Sequence, residues 1–206
     1  MLKSVLAAVV LMAGVAHAEV YMIDTKASVV DWKGIKKLGS SHHGKIQVKS
    51  GEITTDKKNV VTKGSVVIDM ATITNEDLAG DADSQKKLVG HLSSNDFFDV
   101  KKYPTSTFTV KSVAPTANPN EFTVKGDLTM IGKTNELEFP ATIKNEADGT
   151  MTANGAVKVD RTKWGLKYGS GNIFKELSAD KIINDEFEMT LKLVAKKAPE
   201  TKKAKK

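Results

Sequence analysis

Cysteine is absent from the 206 residues. Disulfides, thiolate nucleophiles and cysteine-held zinc are thereby excluded, as is a lipid anchor on a cysteine at the start of a mature chain. Histidines number four, and aromatic residues make up 6% of the chain. There is no Gly-x-Ser-x-Gly elbow, and Gly126–Gly132 (GDLTMIG) is no phosphate loop because no Gly-Lys-Ser/Thr follows it. Carboxylate pairs such as Asp24 with Asp31, or Asp96 with Asp99, have no partner that would force their pKa values apart. Ser40-Ser41-His42-His43 lacks a third ligand at helical or hairpin spacing, so no metal site is expected. Long apolar runs are equally scarce. One stands out, Val5–Val15, with Lys3 before it and Ala16-His17-Ala18 after it. It is too short to span a bilayer comfortably and reads as the core of a cleavable export signal over residues 1–18. Residues 19–195 then form one soluble domain, placed by preference in a Gram-negative periplasm, with full secretion as the alternative.

Positive charge is present but not spread. The formal net charge is +6. Without Lys3 the remaining excess equals that of Lys196–Lys206 alone, which carries six lysines and one glutamate. The globular part is therefore close to neutral, which argues against a nucleic-acid-binding face. The tail has only alanine and one proline among its apolar residues and is expected to be disordered. It is either a solubilising end or a weak, salt-sensitive contact with anionic lipid headgroups, worth at most about 1 kcal/mol per lysine.

What the chain does have is alternation. Phe122, Val124, Leu128 and Met130 interleave with Thr123, Lys125, Asp127 and Thr129. Phe187, Met189, Leu191 and Leu193 interleave with Glu188, Thr190 and Lys192, and Val66, Ile68 and Met70 repeat the pattern. Period two with one wet face predicts antiparallel sheet. Weaker runs at Tyr21–Trp32, Lys45–Ile53, Leu137–Lys144 and Met151–Val159, with the strand after Ser106, bring the count to about eight or nine, enough to close a barrel around one ligand. Asn120, Asp148-Gly149 and Asn154-Gly155 are expected turns. Leu78–Ser93 favours a helix, with Asp83 as its N-cap and Leu88 and Leu92 on one face, placed to cap one end of the barrel. Asn172–Leu177 is a shorter second candidate. The apolar phase shifts near Arg161, which predicts a bulge or turn at Thr162-Lys163. Arg161 and Trp164 then either flank an opening or end an ordinary hairpin.

Three stretches occur in order: HLSSNDFFDVKKYPTSTF (His91–Phe108), GDLTMIGKTNELEF (Gly126–Phe139) and VDRTKWGL (Val159–Leu166). Together they resemble the YceI-like family, from about Val20 to Val194. The resemblance implies an all-β fold, an extended antiparallel lipocalin-like β-barrel of about eight strands with one or two short helices capping an end. It also implies a periplasmic protein that holds a polyisoprenoid or fatty-acid-like chain in its interior, with no cofactor beyond that lipid. The lack of a catalytic constellation points the same way, to a binding protein and not an enzyme. Cavity or mouth residues are then expected among His91, Leu92, Phe97, Phe98, Phe108, Leu128, Met130, Arg161, Trp164 and Leu166. His91 is either a satisfied core histidine or a contact for a bound headgroup. The adjacent Phe97 and Phe98 are not expected to enter one narrow core together. Small residues at Gly126 and Ala156, on otherwise apolar faces, would leave room for a chain of methylenes at roughly 0.8 kcal/mol each. Two other functions stay open: a structural or stress-response protein with a solid barrel, and a lipid-directed enzyme using His91 or an aspartate at the mouth. Monomer and homodimer are both compatible with the sequence.

Overall fold

The computed structural model describes residues 18–199. The proposed export signal, apart from Ala18, and most of the lysine-rich tail lie outside the described residues. Nine strands form among the described residues: β1 (Glu19–Ile23), β2 (Val29–Ile35), β3 (Ser41–Thr55), β4 (Val61–Asp69), β5 (Thr105–Pro115), β6 (Glu121–Met130), β7 (Lys133–Asn145), β8 (Thr150–Asp160) and β9 (Glu186–Lys197). From β2 to β9 each strand pairs antiparallel with the next, and β9 pairs back onto β2, which closes the sheet. β1 does not add a ninth position. It pairs with the far halves of β3 and β9, Tyr21 opposite Ile53 and Lys197, while β2 pairs with their near halves. β1 and β2 therefore lie end to end, and the barrel has eight positions around it. A closed ring of this kind has no edge strand to protect.

The alternation in sequence becomes inside and outside. In β3, Gly44, Ile46 and Val48 are buried while His43, Lys45, Gln47 and Lys49 are exposed. The outer wall carries ion pairs: Lys111 with Asp127 at 2.7 Å, Lys125 with Glu136 at 2.9 Å, Lys192 with Asp31 at 3.5 Å. Each such pair contributes little in water. Together they make a charged belt, unlike the apolar band of a membrane-spanning barrel. Lys196 and Lys197, grouped above with the tail, belong to β9 and bind Asp24 at 2.7 Å and Glu19 at 2.6 Å.

Because strands alternate in direction, their connections alternate between two ends. Residues 56–60, 116–120 and 146–149 make short turns at one end, the floor. Residues 36–40, 70–104, 131–132 and 161–185 gather at the other, the mouth. The two long connections both fall there. The first contains the helix α1 (Ala82–Ser93). Its N-cap is Asp81, not Asp83: the Asp81 carboxylate accepts from Ser84 N–H at 3.1 Å and from Ser84 Oγ at 2.6 Å. Asp83 sits in the first turn, where a negative charge favours the helix dipole. The second connection opens with a 3-10 turn at Arg161–Trp164, capped by Asp160 and ended by Gly165 at φ 90°. That turn absorbs the phase shift seen in sequence. Asn172–Leu177 forms turns and no helix; the 3-10 turn of this stretch is at Ala179–Lys181. Asn154-Gly155 is no turn either. It lies mid-β8, with Gly155 opposite Ala141 and Leu191.

Candidate functional site

The barrel is hollow. On β9 the inward residues Phe187, Met189, Leu191 and Leu193 remain only half-buried although they face the interior. A large cavity of about 870 Å³ occupies the mouth half, and a smaller one of about 90 Å³ lies toward the floor. Val30, Ile68, Leu128 and Met189 border both, so they form a waist between two compartments. The larger volume is near the upper end of the range usual for small-molecule sites.

Two glycines keep the lower wall thin. A Cβ on Gly126 would lie 2.5 Å from the Phe108 ring and 2.4 Å from the Thr109 carbonyl oxygen. One on Gly155 would meet the Phe139 ring at 3.2 Å. Each ring thus lies back over a glycine of the neighbouring strand, and the two rings meet at 5.5 Å between centroids. Ala156, expected inside, is exposed on the outer face, while Ala153 and Gly155 border the smaller cavity. A shift of one residue in a strand turns a side chain to the opposite face.

The expected site residues divide by place. His91, Leu92, Phe97, Phe98, Leu128, Arg161 and Leu166 line the large cavity, and Phe108 lines the small one together with Leu128. Met130 and Trp164 line neither of these two. Both are buried in the core beside Val159 and Leu166. The Trp164 indole N–H donates to the Leu128 carbonyl at 2.9 Å, which pins the 3-10 turn to β6. Phe97 and Phe98 do enter one space together, because a cavity this wide accepts two neighbouring rings from a turn. Asp99, with φ 42°, sets that turn.

At the mouth three rings meet. His91 stands edge-on to Phe97 at 5.0 Å and to Tyr168 at 4.6 Å, and its Nε2 lies 3.1 Å from Asp96. This joins the helical connection to the 161–185 connection across the opening. Arg161 is 3% exposed and spends its donors on backbone. Nε donates to Asn184 O at 3.1 Å, Nη1 to Leu166 O at 2.8 Å and Nη2 to Ile183 O at 3.0 Å. Burial pulls the guanidinium's pKa down, opposed by Asp185 and Asp160. Arg161 lines the cavity but acts first as the clamp that folds the 161–185 connection back onto the barrel.

On the neighbouring strands β2 and β3 lies a site that the sequence reading missed. Trp32 pairs across the sheet with Gly44, and its indole donates to Thr74 O at 3.0 Å. Gly44 is required there, since a Cβ would sit 2.0 Å from that carbonyl oxygen. Asp77 accepts from His43 N–H at 2.8 Å, lies 2.7 Å from His42 Nδ1 and accepts from Asn75 Nδ2 at 2.5 Å. Burial pushes its carboxyl up, but these hydrogen bonds win and hold it at about 2. Trp32 and His42 line the large cavity with Ile73, Phe174 and Ile183. The in-phase pair Val30 and Trp32 was the available signal for an inward tryptophan. Nothing periodic marks Phe174 or Ile183, which are placed by backbone bonds such as Lys37 N–H to Ile182 O at 3.0 Å.

A YceI-like domain model matches residues 21–195. The chain belongs to the YceI-like family. A UPF0312 protein of Pseudomonas putida is 37% identical over 155 residues, which cover 71% of this chain and 76% of that one. One from Pseudomonas savastanoi is 33% identical over 194 residues, covering 87% and 95%. Among solved structures, Burkholderia cenocepacia BcnA superposes with a TM-score of 0.62 at 26% identity, over 84% of this chain and 98% of BcnA. A polyisoprenoid binding domain from Saccharophagus degradans gives 0.65 at 14% identity, over 86% and 98%. At that identity the likeness is one of fold. The YceI-like barrel thus agrees with the lipocalin-like architecture expected from the three motifs.

Proposed function

We propose that this YceI-like protein is a non-enzymatic carrier, exported to the periplasm, that holds one long-chain amphiphile of the isoprenoid or fatty-acid class. The single supporting observation is the cavity of about 870 Å³. Its deep wall is apolar, from Val30, Ile46, Ile68, Leu128 and Met189, and its mouth carries Lys36, Lys167, Lys181, His42 and His91. The apolar chain lies inward and the polar head stays at the mouth. Ten buried methylenes would contribute about 8 kcal/mol before ordering and association costs. No strong polar contact is then needed for useful affinity. The name of the Saccharophagus degradans domain is consistent with an isoprenoid cargo. A solid barrel does not fit an interior with this much open volume.

The test is extraction of protein purified from its native compartment with organic solvent, followed by mass spectrometry. A stoichiometric long-chain amphiphile is the expected result. Protein that is empty and takes up neither a fluorescent fatty acid nor a polyprenol would refute the carrier reading.

A further inference from the structure

The described residues expose five large apolar side chains: Leu38 at 68%, Met22 at 46%, Tyr168 at 45%, Ile173 at 40% and Phe174 at 39%. Four of the five are at the mouth. Leu38 tips the β2–β3 hairpin, and the other three lie in the 161–185 connection. These segments form one platform, joined by the Lys36–Ile183 bridge and by Asn184 N–H to Ile35 O at 2.9 Å. None of the five is in a floor turn.

Charge is arranged around the same platform. Residues 36–40 and 161–185 hold seven cations against three carboxylates, Glu176, Asp180 and Asp185. Arg161 is committed to the clamp. Lys37, Lys167, Lys175 and Lys181 are exposed and make no salt bridge among the described residues, whereas the wall lysines Lys111, Lys125 and Lys192 are paired. The other half of the rim, residues 70–104, is acidic, with six carboxylates against four lysines. The mouth therefore has one basic, apolar-tipped side and one acidic side. Tyr168 and Phe174 also line the cavity, so the exposed apolar surface continues into the interior.

We propose that this basic side of the mouth docks on an anionic phospholipid bilayer. Leu38, Ile173 and Phe174 enter the headgroup layer, and the surrounding lysines lie against the phosphates. Apolar tips set in a basic ring are the chemistry of interfacial binding, where burial and attraction to anionic lipid add. The acidic side tilts away from the surface. The proposal takes its purpose from the carrier reading, since it places the opening where an apolar cargo is collected, but its geometry does not depend on the cargo.

Full-length protein is floated with vesicles of phosphatidylglycerol and phosphatidylethanolamine, and with vesicles of phosphatidylcholine alone. Binding should favour the anionic vesicles and weaken as salt rises. The pair Leu38→Ser and Ile173→Ser, neither of which lines the cavity, should weaken it roughly tenfold, the effect expected when large aliphatic side chains no longer leave water. Uptake of a fluorescent fatty acid from vesicle-free solution should be unchanged in that variant. Lys37→Glu with Lys175→Glu should remove the preference for phosphatidylglycerol. Vesicle binding that survives both variants and is lost when the lysines of residues 202–206 are neutralised would overturn the proposal. So would a dimer in light scattering that the Leu38 and Ile173 changes dissociate, because the face would then serve a second copy of this chain. Vesicle binding without any uptake of the fatty acid would refute the carrier reading and leave the docking surface standing.

Discussion

Replacing Met189 with tryptophan asks whether the interior is a working hollow. Met189 lies on β9 opposite Trp32 and Val157 and borders both compartments. A tryptophan there would close the waist. The compartment it isolates is about 90 Å³. At roughly 10–15 Å³ for each water-sized group, that space takes about six methylene-sized groups. At about 0.8 kcal/mol each they are worth about 5 kcal/mol, and about 2.4 kcal/mol if half that fit is realised. A ligand long enough to pass the waist should therefore lose about two decades in Kd. A ligand too short to reach it should lose little. Titration with fluorescent acyl chains of increasing length reads this directly: affinity rises with length in the native protein and levels off early in Met189→Trp. Stability supplies the control. In a filled core the larger side chain would cost about 1–3 kcal/mol through overpacking, and in a hollow one it should cost less than about 1 kcal/mol. Chain-length dependence identical to native, or a stability loss of the filled-core size, would refute the reasoning.

Gly44→Ala should be among the most damaging single changes, by more than about 2 kcal/mol in denaturant melts, because the added carbon meets the Thr74 carbonyl oxygen at 2.0 Å with no flexible group to yield. Arg161→Met should cost about 2–4 kcal/mol and raise hydrogen exchange in residues 166–184, since three backbone carbonyls lose the donor of a buried guanidinium; Arg161→Lys should not restore them, as an ammonium cannot reach all three directions. Asp77 is held below its ordinary value, so its contribution is complete above about pH 3.8 and is lost as pH falls through about 2. With its side chain 19% exposed, that contribution is on the order of 1–2 kcal/mol, and the acid-unfolding curve of Asp77→Asn should lack it.

Much of the barrel was legible in the chain. Strands such as β6 and β9 alternate cleanly because one face is packed or lines the hollow and the other is wet; β6 matches the run read from sequence to within one residue, while β9 continues four residues past its run, to Lys197. The helix was legible from Leu88 and Leu92, which both line the cavity. Its cap was displaced because Asp81 and Asp83 are equally good candidates until Ser84 shows which one accepts its N–H. Asn154-Gly155 was mistaken for a turn because the sequence hides why glycine is there: the Phe139 ring needs the space. Half of the mouth was invisible for a related reason. Phe174 and Ile183 reach the cavity through contacts between distant segments, and no local period records them. Arg161 showed the converse problem. A lone cation near an opening suggests a ligand contact, but its three backbone acceptors come from residues 166, 183 and 184, which only the folded connection brings together.

Both ends of the described residues lie at the floor. Lys197 reaches Glu19 at 2.6 Å, and Ala198 N–H donates to Val20 O at 2.7 Å. A bead, a fluorophore or a fused partner attached beyond Pro199 is therefore held at the base, and the opening faces outward into whatever medium is presented to it. Immobilised this way, the protein leaves its opening unobstructed by the tether.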